Sequence, residues 1–404
     1  MRKFILVLGI VALVAAALGG YLVATTPRSS AGVRFPLSPA QRELLAAVPA
    51  DADAFALIPT AAAAHARLRR NPLAREAVET WTRERPLPPR WMLGGADLLS
   101  WRSSGGVAYA FRLDPLRALL LRGYVFLTGS SMHAEGTNFV IGAPPSGLPL
   151  GDAELEPLLR LAAGMDGGDA VLVQRRDAQM FPPIARPALS TVSVHPREIV
   201  IVSRARNDSP AGSGHRTVTL PRGALLSSWF GDPPRLVADL DRLLPGDVTA
   251  LLSDGGSIVL YDVESRRLLP RLRGLFVIAD SPEARASARR LSTVAEMFGE
   301  VAYRDGRILI SLDRTSLGVY GAEQFSELPF PATEWAVRID AGRMVPVLEG
   351  LGESIGLRLT APRLYRSVRD LRAWIGHMRG AGVIEAALAR EGEGEELRVR
   401  ITAK

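Results

Sequence analysis

The chain has no cysteine among its 404 residues. That excludes disulfide staples, thiol nucleophiles, Fe–S clusters, CxxC redox chemistry, Cys-ligated zinc and an acylated lipoprotein cysteine. Lysine is nearly as scarce, with Lys3 and Lys404 the only two. A Walker A lysine, a Schiff-base lysine and a Ser–Lys dyad are excluded with it. The five histidines, His65, His133, His195, His215 and His377, are never paired at i+3 or i+4, and no HExxH occurs. Zinc by local motif is therefore absent. Aromatic residues make up 6% of the chain. Trp81, Trp91, Trp101, Trp229, Trp335 and Trp374 are scattered, a pattern of core packing and not of a stacking platform for nucleic acid.

What is present begins with Arg2 and Lys3, followed by Phe4 to Ala24 without a charge. As a helix, that run would be roughly 31 Å long, the thickness of a bilayer core. The sequence predicts a single-pass transmembrane helix over residues 4–24 in the inner membrane, acting as a signal anchor. Residues 1–3 stay cytoplasmic by the charge rule, and the bulk of the chain faces the periplasm or the outside. The competing reading is a signal peptide cut after Ala15-Ala16-Ala17, giving a secreted protein. The anchor is favoured because the apolar run continues through Leu18, Leu22 and Val23, and Tyr21 sits where an interfacial aromatic would.

The net charge is +7, and almost all of the basic residues are Arg. They interleave with Asp and Glu along the chain, so no nucleic-acid partner is expected. Two stretches are denser: Arg285, Arg289 and Arg290, and Arg363, Arg366, Arg369 and Arg372. Each falls on a candidate helix face, read as solvated, with an anionic envelope polymer as the alternative partner.

Residues 25–39 read as a tether rich in Thr, Ser, Pro and Gly. A short helix follows from Pro39, with Ser38 as its cap and Leu44-Leu45 inward. Two openings then look alike, Val48-Pro49-Ala50-Asp51-Ala52 and Leu244-Pro245-Gly246-Asp247-Val248. Val107–Leu113 followed by Asp114-Pro115 parallels Gly274–Ala279 followed by Asp280-Ser281-Pro282, in each case a strand and then a capped helix start. Thr137–Ile141 parallels Arg307–Leu312. The pairs Leu189–Val194 with Glu198–Val202, and Val383–Ala389 with Glu396–Ile401, each read as a hairpin. The sequence therefore predicts an α+β fold of two similar lobes from an internal duplication. Each lobe is an antiparallel sheet with helices on one face, the first over 40–215 and the second over 245–404, joined by a linker and connecting helix at 216–244. Alternation in Ala336–Asp340 and Leu397–Ile401 implies one wet face.

Four stretches carry candidate chemistry. Gly352-Glu353-Ser354-Ile355-Gly356 matches the nucleophile-elbow pattern. Its flanks run helix then strand, the reverse of what the mechanism needs, so Ser354 is not expected to be catalytic. Asp51/Asp53, Asp166/Asp169 and Asp239/Asp241 are neighbours in sequence, which does not place two carboxylates across a cleft. Gly94-Gly95, Gly167-Gly168 and Gly255-Gly256 open no helix in a GxGxxG arrangement and read as turns. Leu116–Leu127, with Arg117 and Arg122, is too short and too charged to span a bilayer. It is expected to be a core helix or, where exposed, an interfacial helix or the lining of an apolar groove. No catalytic, cofactor-binding or metal residue is assigned, and no cofactor is expected.

With its apolar start and the Val48–Ala52 opening, the chain resembles a group of uncharacterised bacterial exported proteins. In these a membrane segment precedes a domain opening on Leu/Val-Pro-Ala-Asp and an apolar strand. The resemblance implies address and architecture, and no chemistry. The function expected is a membrane-anchored, non-enzymatic binding or scaffolding module facing an envelope protein or polymer. The alternatives are a carrier of an apolar or lipid ligand and an envelope hydrolase with a non-local site.

Overall fold

The computed structural model describes residues 24–25, 27, 32–75, 78–79, 93–103, 106–128, 132–142, 149–175, 187–206, 216–231, 255–264, 271–286, 288, 300–353, 380–391 and 394–404. They form mostly sheet with a minority of helix. The chain divides into two compact units, residues 1–196 with 201–206, and residues 197–200 with 207–404.

The first unit carries β1 (Ala54–Ile58), β2 (Leu98–Ser103), β3 (Gly106–Arg112), β4 (His133–Glu135), β5 (Asn138–Ile141), β6 (Ala170–Gln174), β7 (Ala188–Val194) and β8 (Glu198–Arg206), the last shared in sequence with the other unit. Its helices include α1 (Pro39–Leu45), α2 (Ala61–Arg70), α3 (Pro115–Thr128) and α4 (Asp152–Arg160). The strand order is β4-β5-β3-β2-β1-β6-β7-β8.

The second unit carries β9 (Thr219–Pro221), β10 (Leu226–Phe230), β11 (Gly256–Glu264), β12 (Arg271–Ala279), β13 (Val301–Arg304), β14 (Arg307–Ser311), β15 (Phe325–Glu327), β16 (Trp335–Asp340), β17 (Ala381–Glu391) and β18 (Gly394–Ala403). Its helices include α5 (Ser316–Gly321) and α6 (Ala341–Gly352). The order is β13-β14-β12-β11-β10-β16-β17-β18, and β9 pairs separately with β15. Matching β1, β2, β3, β4, β5, β6, β7 and β8 to β10, β11, β12, β13, β14, β16, β17 and β18 makes the two orders coincide strand for strand.

Two features of the expected fold are corrected. First, no helix among the described residues is long and apolar enough to cross a membrane. Among the described residues the expected N-terminal spanning helix therefore has no counterpart, and residues 4–23 of it lie outside the described residues. Second, the sheets do not have helices on one face only. In the first unit Leu99, Trp101, Ala108 and Ala110 pack with Leu44 and Leu45 of α1 and Leu155 and Leu158 of α4. Their odd-and-even neighbours Leu98, Tyr109 and Phe111 pack with Ala61 and Ala62 of α2 and Ala118 and Leu121 of α3. Successive strand residues point to opposite faces, so both faces are buried. The physical reason is visible in Ala108-Tyr109-Ala110-Phe111, where both parities are apolar and neither is suited to water. The second unit does the same at β12. Leu275 and Val277 meet Leu317 and Tyr320 on the α5 side, while Phe276 and Ile278 meet Ala284 and Ala288.

The residues read as tether and linker hold structural elements. Val33 and Leu37, within 25–39, are buried, and the Val33 amide donates to the Gly168 carbonyl. β10, within 216–244, is the strand between β11 and β16. The Ser38 cap is as expected: Gln41 N donates to Ser38 Oγ at 3.2 Å, and Ser38 N donates to Gln41 Oε1 at 3.1 Å. This reciprocal pair satisfies two otherwise orphaned amide donors.

Candidate functional site

The most unusual surface in the first unit belongs to α3. Asp114 caps this helix by accepting from Arg117 N at 3.1 Å, and Pro115 supplies the fixed φ of the first turn. Arg117 is buried, at 5% exposure, on a helix whose only other charged residue is Arg122. Its guanidinium is divided between two partners. Nη1 donates to Asp114 Oδ2 at 2.6 Å and Nη2 donates to Thr25 Oγ1 at 2.7 Å. Burial by itself pushes the Asp114 carboxyl up, but the Arg117 amide and guanidinium, with the Leu116 amide, hold it below the usual carboxylate range. Gly94, at φ +55°, makes room for the clamp: a Cβ there would come within 2.5 Å of the guanidinium. Pro27 packs beside Gly95 in the same loop.

The inner face of α3 is fixed by Ala118 and Leu121, which pack with Leu98, Phe111 and Phe139. The Phe111 and Phe139 rings stack at 5.7 Å. Burying each such large side chain contributes roughly 2 kcal/mol, enough to set the helix rotation. The outer face is also apolar. Leu119 is 68% exposed, Phe126 86% and Leu127 83%, with Tyr124 half exposed beside them. Leu119, Gly123, Phe126 and Leu127 share this face by helical spacing. Arg122 lies at its margin and donates to the Gly136 carbonyl. Residues 115–128 contain two arginines and no carboxylate. The sequence reading of Leu116–Leu127 as a core helix therefore holds for one face only. Helical periodicity locates two apolar faces, and nothing local states which one the sheet covers.

A polar cleft of about 360 Å³ lies elsewhere in the same unit, lined by Arg34, Arg67, Asp169, Ser193 and His195 among others. It brings His195 together with Gly167, Gly168 and Asp169, the second member of the Asp166/Asp169 pair. The Asp169 carboxylate is already engaged. It pairs with Arg67 through Oδ1 and accepts Val194 N at 2.6 Å through Oδ2. Asn71 Nδ2 donates to the His195 carbonyl at 2.7 Å. No hydrogen bond among the described residues links Ser193, His195 and Asp169. Gly167 and Gly168 are explained by close approach. A Cβ on Gly167 would overlap the Val33 carbonyl, and one on Gly168 would lie 2.8 Å from the Val192 carbonyl oxygen.

The other sequence candidates disperse. Asp53 contributes backbone hydrogen bonds to Arg102 and Arg175 at the edge of β1. His65 lies on α2 and His133 opens β4. Trp101 is buried in the core. In the second unit Arg285 pairs with Asp280 and lies 5.8 Å from the Tyr303 ring centroid, facing a cleft of about 480 Å³. The Arg285 hydrogen bonds hold the Asp280 carboxyl below its ordinary range. Ser354, His215, His377, Asp239, Asp241, Arg289, Arg290 and Arg363 to Arg372 lie outside the described residues. No group of three or more His, Asp or Glu among the described residues is placed to hold a metal ion. No protein-family model, curated protein or solved structure matches this chain.

Proposed function

We propose that this protein is a non-enzymatic binding module that works outside the cytoplasm, using the outer face of α3 as its contact surface. The observation that carries this reading is the exposure of Leu119, Phe126 and Leu127 on one ordered helix whose other face is anchored in the core. A helix that is apolar all round belongs in a large core or against an apolar partner, and contiguous exposed apolar surface marks interaction sites. The extracytoplasmic address rests on the basic start and the charge-free run that follows it.

The test is photo-crosslinking in intact cells, with benzoylphenylalanine at position 119 and, as a control, at the exposed Asp305 turn. Adducts at 119 and none at 305 are expected. Equal or absent labelling at 119 would sink the binding role of α3. A phosphatase fused at the C-terminus should be active outside the cytosol, and activity confined to the cytosol would overturn the address.

A further inference from the structure

We infer that the partner of the α3 outer face is a lipid surface, on which Leu119, Phe126 and Leu127 enter the headgroup–acyl boundary. This rests on the binding role proposed for α3. Three observations point to lipid.

The first is where the apolar N-terminal sequence meets the fold. Phe4 to Ala24 is 21 residues without a charge. The next residue, Thr25, is held by Arg117 of α3 at 2.7 Å, and Pro27 packs beside Gly95. The described end of the charge-free run, Ala24-Thr25, therefore lies at the first turn of α3.

The second is charge. Residues 115–128 hold no acid, and the exposed Arg122 at the margin of the outer face complements anionic headgroups, while Arg117 is buried and paired with Asp114. The third is side-chain type. Leu and Phe project furthest, while the amphipathic Tyr124 and the long Arg122 flank them, as in helices that lie in a bilayer interface. The helix is about 21 Å long, too short to cross a bilayer but long enough to lie along one.

The absence of cysteine permits a direct test on the full chain. Phe126→Cys and, separately, Leu127→Cys and Asp305→Cys each create a single labelling site for a nitrobenzoxadiazole probe. All three positions are exposed, so the fold does not depend on them. The labelled chains are bound to vesicles of phosphatidylcholine and phosphatidylglycerol with and without doxyl-labelled lipid. The expected result is blue-shifted emission at 126 and 127, quenched severalfold more by doxyl lipid than at 305. A water-like probe at 126 and 127 overturns the inference. So does a blue-shifted probe that doxyl lipid fails to quench, which identifies protein, from this chain or a second copy, as the cover. If crosslinks at 119 persist while the probes are wet or unquenched, only the lipid assignment falls. If both fail, the binding role of α3 falls with it.

Discussion

Glu385 on β17 accepts two hydrogen bonds from Arg400 on β18, from Nε at 2.9 Å and from Nη2 at 2.6 Å. The two residues are register partners, and Arg338 stands opposite Glu385 on the other side, donating to Oε1 at 3.0 Å. Three adjacent strands are thus cross-linked by one buried carboxylate, whose side chain is only 4% exposed. Cross-strand pairs are the unit of sheet stabilisation, and a carboxylate shared by two guanidiniums offsets its own desolvation.

Removing that carboxylate leaves two guanidiniums without their shared partner. Glu385→Ala is expected to lower the stability of the second unit by about 3–5 kcal/mol in urea unfolding. Replacing Arg338, Glu385 and Arg400 together with Leu or Met should cost less than the single change, because no partly buried charge is left behind. A single-variant loss below about 1 kcal/mol would show that the triad is incidental.

Asp313 should make stability fall in acid. Its carboxylate is buried, which pushes its pKa up, but hydrogen bonds from Ser316 and Thr315, side chain and backbone together, bring it down to about 2. Gly274 N donates to the same group at 3.1 Å, tying β12 to the turn before α5. A depressed pKa stabilises the fold above the unfolded value of about 3.9 and loses that contribution as pH falls toward the folded value. Asp313→Asn should therefore cost about 2 kcal/mol near neutrality, with the gap to the wild type closing between about pH 5 and pH 2. A gap independent of pH over that range would refute the assignment.

Gly167→Ala should unseat the segment around Val33. The added methyl overlaps the Val33 carbonyl, which is backbone and cannot swing aside. The expected loss is about 1–3 kcal/mol, together with faster tryptic cleavage after Arg34, the exposed residue next to Val33. Unchanged cleavage would mean that this strap does not depend on the glycine.

Tyr261 offers the opposite sign. Its hydroxyl is buried with no hydrogen-bond partner among the described residues, and it sits in the cluster of Leu275, Val277 and Leu309. Burial, with Glu323 and Tyr320 adding to it, pushes its ionisation well above the ordinary tyrosine range. Tyr261→Phe removes an unpaired polar group at nearly constant shape, so stability should stay level or rise by up to about 1 kcal/mol. A loss above about 1 kcal/mol in thermal unfolding would reveal a partner for the hydroxyl.

The legible part of the fold was the local part. Ser38 and Gln41 advertise their cap at a spacing of three, and Asp114-Pro115 and Asp280-Ser281-Pro282 mark the ends of β3 and β12 because capping chemistry is read within one turn. The β7–β8 and β17–β18 hairpins were legible because their strands are consecutive in the chain. β10 was not. Its sequence Leu226-Ser227-Ser228-Trp229-Phe230 lacks clean alternation, and both serines are buried by neighbouring elements distant in the chain. The cleft at His195 was equally hidden, since Arg34, Arg67, Asp169 and His195 are joined only by folding.

Composition alone settled that thiol chemistry is missing, because no fold can restore an absent functional group. It also placed the charge-free stretch, the caps and the consecutive hairpins, all of which depend on neighbours within a few residues. Folding decided the rest: the strand order, the burial of both sheet faces, the meeting of Arg117 with Thr25, and the outward turn of Phe126 while Leu121 goes in. Those outcomes depend on contacts between distant segments, and a helix with two apolar sides does not itself dictate which of them the sheet will cover.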